Sequence, residues 1–168
     1  METEKTLILD QLQIKHRVNR IAYQVYEDSF DEKEIVIAGL SPGGYKFAKK
    51  IAEALKEISP IKVTLVEVFL DKDNPFMGNI EFSVPKESLS HKTVILVDDV
   101  LNSGKTLIYS MRPLLELPLK KLRTVVLVDR NHNNYPVRAD FTGISLATTL
   151  QEHISVELGG KEETVYLS

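Results

Sequence analysis

The sequence predicts an α/β fold, a mainly parallel sheet flanked by helices, and three observations carry that prediction. Four apolar segments, residues 35–38, 61–70, 93–97 and 125–128, are short and rich in β-branched side chains, as strands buried on both faces are. Segments with helical periodicity alternate with these strands. Polar loops, two of them carrying glycine, leave the carboxyl ends of three strands. Such alternation imposes right-handed crossovers and a parallel sheet covered on both faces.

Each element has its own warrant. Over residues 11–28, Leu12, Ile14, Val18, Ile21, Ala22 and Val25 mostly recur three or four apart and paint one face of a helix. The strand at 35–38 breaks at the turn from Gly39 to Gly44, and Phe47, Ala48, Ile51 and Leu55 resume the helical period over 45–58 until Pro60. The strand at 61–70 runs out into the polar stretch 71–79, a loop expected to be mobile, before a short strand at 80–84. After the strand at 93–97, residues 98–103 read as a loop. Leu107, Met111, Leu114 and Leu115 then line a helix from about Gly104 to Leu115, with a kink or early end expected at Pro113. The strand at 125–128 ends at Asp129, Arg130, Asn131 and His132, and shorter strands are expected near Phe141 and Val165.

At 168 residues, 43% apolar and 27% charged, the chain is expected to be a single domain over 1–168. No repeat or low-complexity linker divides it. With 21 Lys plus Arg against 24 Asp plus Glu, the net charge of -3 argues against a surface built wholly for nucleic acid or anionic membrane. The absence of cysteine excludes disulfides, thiolate zinc sites, iron–sulfur clusters and cysteine nucleophiles. No signal peptide or membrane span is read from the sequence, and a cytoplasmic location is expected. His16, His91 and His153 lack metal-ligand spacing and read as surface residues, so no protein-built metal site is expected.

The chemistry concentrates at the ends of three strands, in residues 39–44, 98–106 and 129–132. In the second, backbone N–H groups at a helix start, the Ser103 and Thr106 hydroxyls and the close approach allowed by Gly104 make a cradle for a phosphate dianion, to which Lys105 adds charge. Asp98 and Asp99 at the strand end can present acceptors to a vicinal diol such as ribose. A pentose phosphate fits that spacing better than simple helix capping does. Gly104-Lys105-Thr106 also resembles a P-loop, but that motif needs a glycine where this chain has Asp99, which rejects a nucleoside triphosphatase.

Residues 94–106 resemble the phosphoribosyl pyrophosphate signature of the type I phosphoribosyltransferases. The segment 20–22, the turn 39–44, and residues 126–130 with 136–141 are similar to the pyrimidine-operon regulators that double as uracil phosphoribosyltransferases, PyrR-type proteins, in unbroken order from about Ile14 to the C-terminus. The resemblance implies a Mg²⁺-assisted transfer of phosphoribose from phosphoribosyl pyrophosphate (PRPP) to a nucleobase, releasing pyrophosphate. It implies that Asp98 and Asp99 hold the ribose hydroxyls and that Asn102, Ser103, Gly104, Lys105 and Thr106 hold the 5-phosphate. Ser41, Gly43 and Gly44 would form the pyrophosphate loop, Lys72 would lie on a loop closing over substrate, and Asp129, Arg130 and His132 would border the base. A homo-oligomer is implied on the same ground.

The departures also shape the expectation. Where the regulators carry an Arg in the pyrophosphate loop and a Tyr-Arg pair in the flexible loop, this chain has Pro42-Gly43 and Asp71-Lys72. Lysine supplies a point charge without the planar fork of arginine. Asn102 stands where some purine-salvage relatives have an acid, and an amide cannot take a proton, which favours uracil over a purine. Asn19, Tyr23, Asn133 and Ile144 replace basic or hydrogen-bonding positions of the regulators, although His132, Arg138 and Thr148 match them. RNA binding is therefore disfavoured. A nucleotide-sensing RNA-binding regulator and a domain that binds ribose phosphates without catalysis stay open as alternatives.

His132 reads equally as a base contact or an exposed turn residue, and Arg130 as an anchor for its loop through a carboxylate. Tyr23 and Tyr26 read as a packing or subunit contact. Glu152, Glu157, Glu162 and Glu163 read as a solvated face.

Overall fold

The first helix begins where a reciprocal cap forms. In the computed structural model, which describes residues 4–76 and 78–168, α1 (Gln11–Asp28) follows Asp10. The Asp10 carboxylate accepts from the Gln13 N–H at 2.8 Å while the Gln13 side chain accepts from the Asp10 N–H at 2.9 Å. Ile14, Val18, Ile21, Ala22 and Val25 face inward, whereas Leu12, expected on that face, is 61% exposed.

Six strands form the main sheet in the order β4 (Glu81–Phe82), β3 (Lys62–Phe69), β2 (Glu34–Leu40), β5 (Thr93–Leu101), β6 (Lys121–Asp129), β7 (Phe141–Ser145). All neighbours are parallel except β4, which runs antiparallel on β3. Alternation within the strands separates two cores. Ile35, Ile37, Ile95 and Val97 face α1 and α2 (Gly43–Ile58), while Val36, Ala38, Val94 and Leu96 face the side covered by α3 (Lys105–Leu115). A three-stranded antiparallel sheet, β1 (Thr6–Leu9), β9 (Thr164–Leu167) and β8 (Ile154–Glu157), adds Leu9, Ile154 and Val165 to the first core.

Several boundaries differ from the sequence reading. Residues 98–101 are strand rather than loop, because β5 keeps its register on β6 through Asp98↔Val126, Val100↔Val128 and Leu101↔Asp129. The second helix starts at Gly43, inside the expected turn. Pro113 neither ends nor shortens α3, since it lies in the last turn, where one missing N–H removes a single helical bond, and its ring is buried. The strand at 80–84 is reduced to Glu81–Phe82, and β1 and β8 were not anticipated. Glu163 is not part of a solvated face: it is 8% exposed, with Lys50 Nζ at 2.6 Å and the Gly159 N–H donating to it at 2.9 Å. Among the described residues no helix is long and apolar enough to cross a membrane.

Candidate active site

The parallel sheet brings the ends of β2 and β5 side by side, so the loop opening α2 lies against the two acids of β5. Gly43 and Gly44 are what make the approach possible. A Cβ on Gly43 would stand 2.1 Å from Asp99 Oδ2, and one on Gly44 would stand 2.6 Å from the Val97 carbonyl and 3.0 Å from Asp98 Oδ1. The peptide bond between Ser41 and Pro42 is cis, and the Ser41 hydroxyl donates to Glu67 Oε1 at 2.9 Å.

Asp98 is 4% exposed, whereas Asp99 is half-buried. The Asp98 carboxylate accepts from the Asp99 N–H and the Asp99 carboxylate from the Val100 N–H, each at 2.9 Å. Lys72, arriving on the segment after β3, places Nζ 3.0 Å from Asp98 Oδ1 and 3.9 Å from Asp99 Oδ1. Burial pushes the Asp98 carboxyl up to about 7; the Lys72 charge pulls against that shift and the Asp99 charge adds to it.

A cavity of about 310 Å³ opens beside these groups, bounded by Lys72, Asp98, Asp99 and residues 102–106, and closed on another side by His153 and Ile154. A second, of about 450 Å³, shares Lys72 and Asp99 and is bordered by Pro42, Gly43, Lys46 and residues 156–158. Gly104 precedes α3 with φ of 88°, a left-handed conformation natural to glycine, and a Cβ there would stand 2.4 Å from Val137 Cγ1. The Ser103 hydroxyl accepts from the Lys105 N–H at 3.2 Å. Lys105 and Thr106 both line the first cavity, and Lys105 also holds Nζ 4.8 Å from the centre of the Phe76 ring.

Asp129, Arg130 and His132 follow a different pattern. Arg130 is 7% exposed and anchors its loop, but through neutral oxygens rather than the expected carboxylate. It donates to Asn102 Oδ1 at 2.7 Å, the Thr148 hydroxyl at 3.1 Å and the carbonyls of Thr149 and Glu152. His132 Nε2 meets the Thr148 carbonyl. Asp129 accepts from the Asn131 N–H at 2.9 Å and borders a separate cavity of about 430 Å³ with Asn133 and Arg138. Arg130 thus touches the carboxylate cavity through Asn102, while Asp129 and His132 lie outside its lining.

Sequence reasoning missed Lys46, His153 and the β8 residues that wall the two cavities. His153, which lacks metal-ligand spacing and reads as a surface residue, is exposed and also borders the first cavity. In the sequence, the alternation at 154–157 was the available sign of a strand.

Residues 5–159 match the family model of the phosphoribosyl transferase domain. The bifunctional protein PyrR of Fusobacterium nucleatum is 32% identical to this chain over 99% of it and 100% of that protein. The protein of the same name from Enterococcus faecalis is 32% identical over 92% and 90%. A hypoxanthine-guanine phosphoribosyltransferase from Bacillus anthracis superposes with a TM-score of 0.73 at 21% identity, covering 88% of this chain and 86% of that one. The hypoxanthine phosphoribosyltransferase of Trypanosoma cruzi does so with a TM-score of 0.72 at 17% identity, covering 84% and 81%. These structures share the α/β architecture expected of a type I phosphoribosyltransferase. By sequence and fold together, the chain belongs to the phosphoribosyl transferase domain family.

Proposed function

We propose that this chain is a phosphoribosyltransferase that transfers phosphoribose from PRPP to uracil, giving uridine monophosphate and pyrophosphate in pyrimidine salvage. The observation that carries this reading is the Asp98–Asp99 pair, pressed against Gly43 and Gly44 at the junction of two cavities. In one cavity the carboxylates accept from the ribose hydroxyls while the backbone N–H groups, Asn102, Ser103, Thr106 and the helix start hold the 5-phosphate. Lys105 adds long-range positive charge there. In the other, the amide of Gly43 and the ammonium of Lys72 face the pyrophosphate, with Gly44 packed against Val97 and Asp98 and Ser41 bracing the turn.

A ring nitrogen of the base attacks the anomeric carbon as the bond to the pyrophosphate oxygen breaks. Asp98 and Asp99 fix the ribose ring for that displacement, and Lys72 stabilises charge on the departing group. The hard oxygen donors of Asp98 and Asp99 fit Mg²⁺, which binds through one or two carboxylates plus substrate oxygens; when bound it neutralises pyrophosphate charge. Asn102 cannot act as a base, and its carbonyl oxygen is already engaged by Arg130, which supports a substrate that needs no proton acceptor there. Asp129, Arg130 and His132 would shape the base side, Arg130 through Asn102.

The same reading takes residues 1–168 as one domain, the small sheet sharing its core with α1 and α2, and the protein as cytoplasmic and homo-oligomeric. RNA is disfavoured as a partner. Arg17 and Arg20 on α1 are spent on the Thr142 and Gly143 carbonyls at 2.7–3.1 Å. Calorimetric titration of PRPP with Mg²⁺ into the wild type and an Asp98→Asn, Asp99→Asn double variant tests the site. Binding by the first and none by the second is expected; equal binding by both would remove the assignment. Binding without turnover would select a non-catalytic ribose-phosphate domain. A shift of pyrimidine-leader RNA that depends on uridine nucleotide would select the regulator.

A further inference from the structure

The segment 71–76 is docked, not merely draped, across the site. Asp71 Oδ1 accepts from the N–H groups of Asp73 at 3.0 Å and Asn74 at 3.3 Å, a local turn that folds the segment back. Pro75 is buried although Asp71, Asp73, Asn74 and Phe76 are exposed. The Phe76 ring then meets α3: its centre lies 6.3 Å from that of Tyr109, tilted by 54°, and Lys105 Nζ stands over it at 4.8 Å. Lys105 and Tyr109 are four residues apart and so share a helix face. Tyr109 in turn meets Tyr135 edge-on at 6.1 Å, and the Tyr135 N–H donates to the Ser103 carbonyl at 3.2 Å. Three aromatic rings thus join the segment carrying Lys72 to the helix and the loop that frame the proposed phosphate cradle.

We infer that Phe76, Tyr109 and Tyr135 form an aromatic clasp that positions Lys72 for phosphoribosyl transfer, with Phe76 and Tyr109 as the positioning pair. The inference rests on the proposed function for its catalytic meaning and on the docking geometry for the clasp itself. Three residues separate Lys72 from Phe76, so a fastened Phe76 confines the Lys72 Cα to within roughly 14 Å of its own. Lys72 lines both cavities, and the tether keeps it within range of both. In the structure Lys72 rests on Asp98. When a ribose diol takes those acceptors, the clasp holds the lysine where the pyrophosphate lies instead of releasing it to solvent. Removing the clasp leaves Lys72 present but unplaced; bound pyrophosphate still draws the ammonium in to stabilise the departing charge, so the loss falls on PRPP capture more than on the rate once substrate is bound.

The chain has no tryptophan, so Phe76→Trp installs a single tryptophan at the clasp, excited selectively over the six tyrosines at long wavelength. Acrylamide quenching of that variant without substrate is expected to be about threefold weaker than in Phe76→Trp with Tyr109→Ala. Equal quenching in the two would overturn the clasp whatever the protein catalyses. In turnover, Phe76→Ala and Tyr109→Ala are each expected to raise KM for PRPP about tenfold with kcat changed less than threefold, the double variant being no worse than either single. Phe76→Tyr should restore KM because it restores the ring. An unchanged or lowered KM in both single variants would overturn the positioning role. A wild type that binds no PRPP would remove the proposed function, while the quenching comparison would still decide the clasp.

Discussion

The Lys72 ammonium stands 3.0 Å from Asp98 Oδ1, so a cation delivered by the segment after β3 occupies the acid assigned to the ribose diol. In the proposed binding mode a ribose diol competes with the Lys72 ammonium for Asp98, and Lys72, which lines both cavities, has the proposed pyrophosphate side within its reach.

Asp98 gives the first prediction. Burial raises its carboxyl from 3.8 to about 7, so between those values the folded protein holds a proton that the unfolded chain has released. The stability this group contributes is complete below the unfolded value and is lost as pH rises through about 7. Asp98→Asn keeps the shape without the charge. Without substrate it should melt roughly a few °C above wild type at pH 8, with the gap narrowing steadily as pH falls toward the unfolded value of 3.8, as scanning calorimetry would show. PRPP affinity at pH 8 should nevertheless fall at least about 100-fold, since the diol loses a charged acceptor. A gap that widens toward acid would contradict this account.

Lys72 sets where that titration falls. An ionised Asp98 is the form that accepts from a diol, so PRPP affinity should decline as pH drops below about 7. Lys72→Ala removes the charge that holds the Asp98 carboxyl down, so the decline should begin at higher pH. Its kcat/KM should fall by roughly 10- to 100-fold, with Lys72→Arg retaining most activity. Titrations of PRPP across pH compare the three proteins.

The two glycines of the loop should separate stability from binding. At Gly44 an added methyl meets the Val97 carbonyl at 2.6 Å and Asp98 Cα at 2.8 Å, backbone that cannot step aside. Gly44→Ala should cost about 1–3 kcal/mol in urea unfolding. At Gly43 the methyl meets the end of the Asp99 side chain at 2.1 Å, which can swing away. Gly43→Ala should remain within about 1 kcal/mol of wild type in stability yet lose PRPP affinity, because the displaced carboxylate is the one facing both cavities.

Arg130 is a structural anchor rather than a reacting group. Arg130→Ala strips donors from Asn102, Thr148, Thr149 and Glu152 at a site 7% exposed, and should lower unfolding free energy by roughly 2–4 kcal/mol. Lysine has no planar fork to span those acceptors, so Arg130→Lys should recover little. Chemical denaturation of both variants measures the difference.

The parallel sheet was legible because its strands are buried on both faces and therefore write continuous apolar runs, such as residues 94–97. The carboxylates and phosphate cradle were legible for a related reason: they are contiguous in sequence at the end of β5 and the start of α3. Features assembled across the chain were not. Glu163 looked solvated because nothing local reveals that Lys50, more than a hundred residues earlier, will meet it. Leu12 looked buried because helical period marks a stripe without saying how wide the neighbouring element is. Lys46, on α2, and His153, just before β8, border the cavities because the distant segments 153–154 and 156–158 fold onto the site, which no local pattern announces.

Turnover of a nucleobase panel with PRPP and Mg²⁺ tests the central claim most directly. The account predicts uridine monophosphate and pyrophosphate in equal amounts from uracil, with hypoxanthine and guanine giving far less product. No nucleotide from any common nucleobase would contradict it.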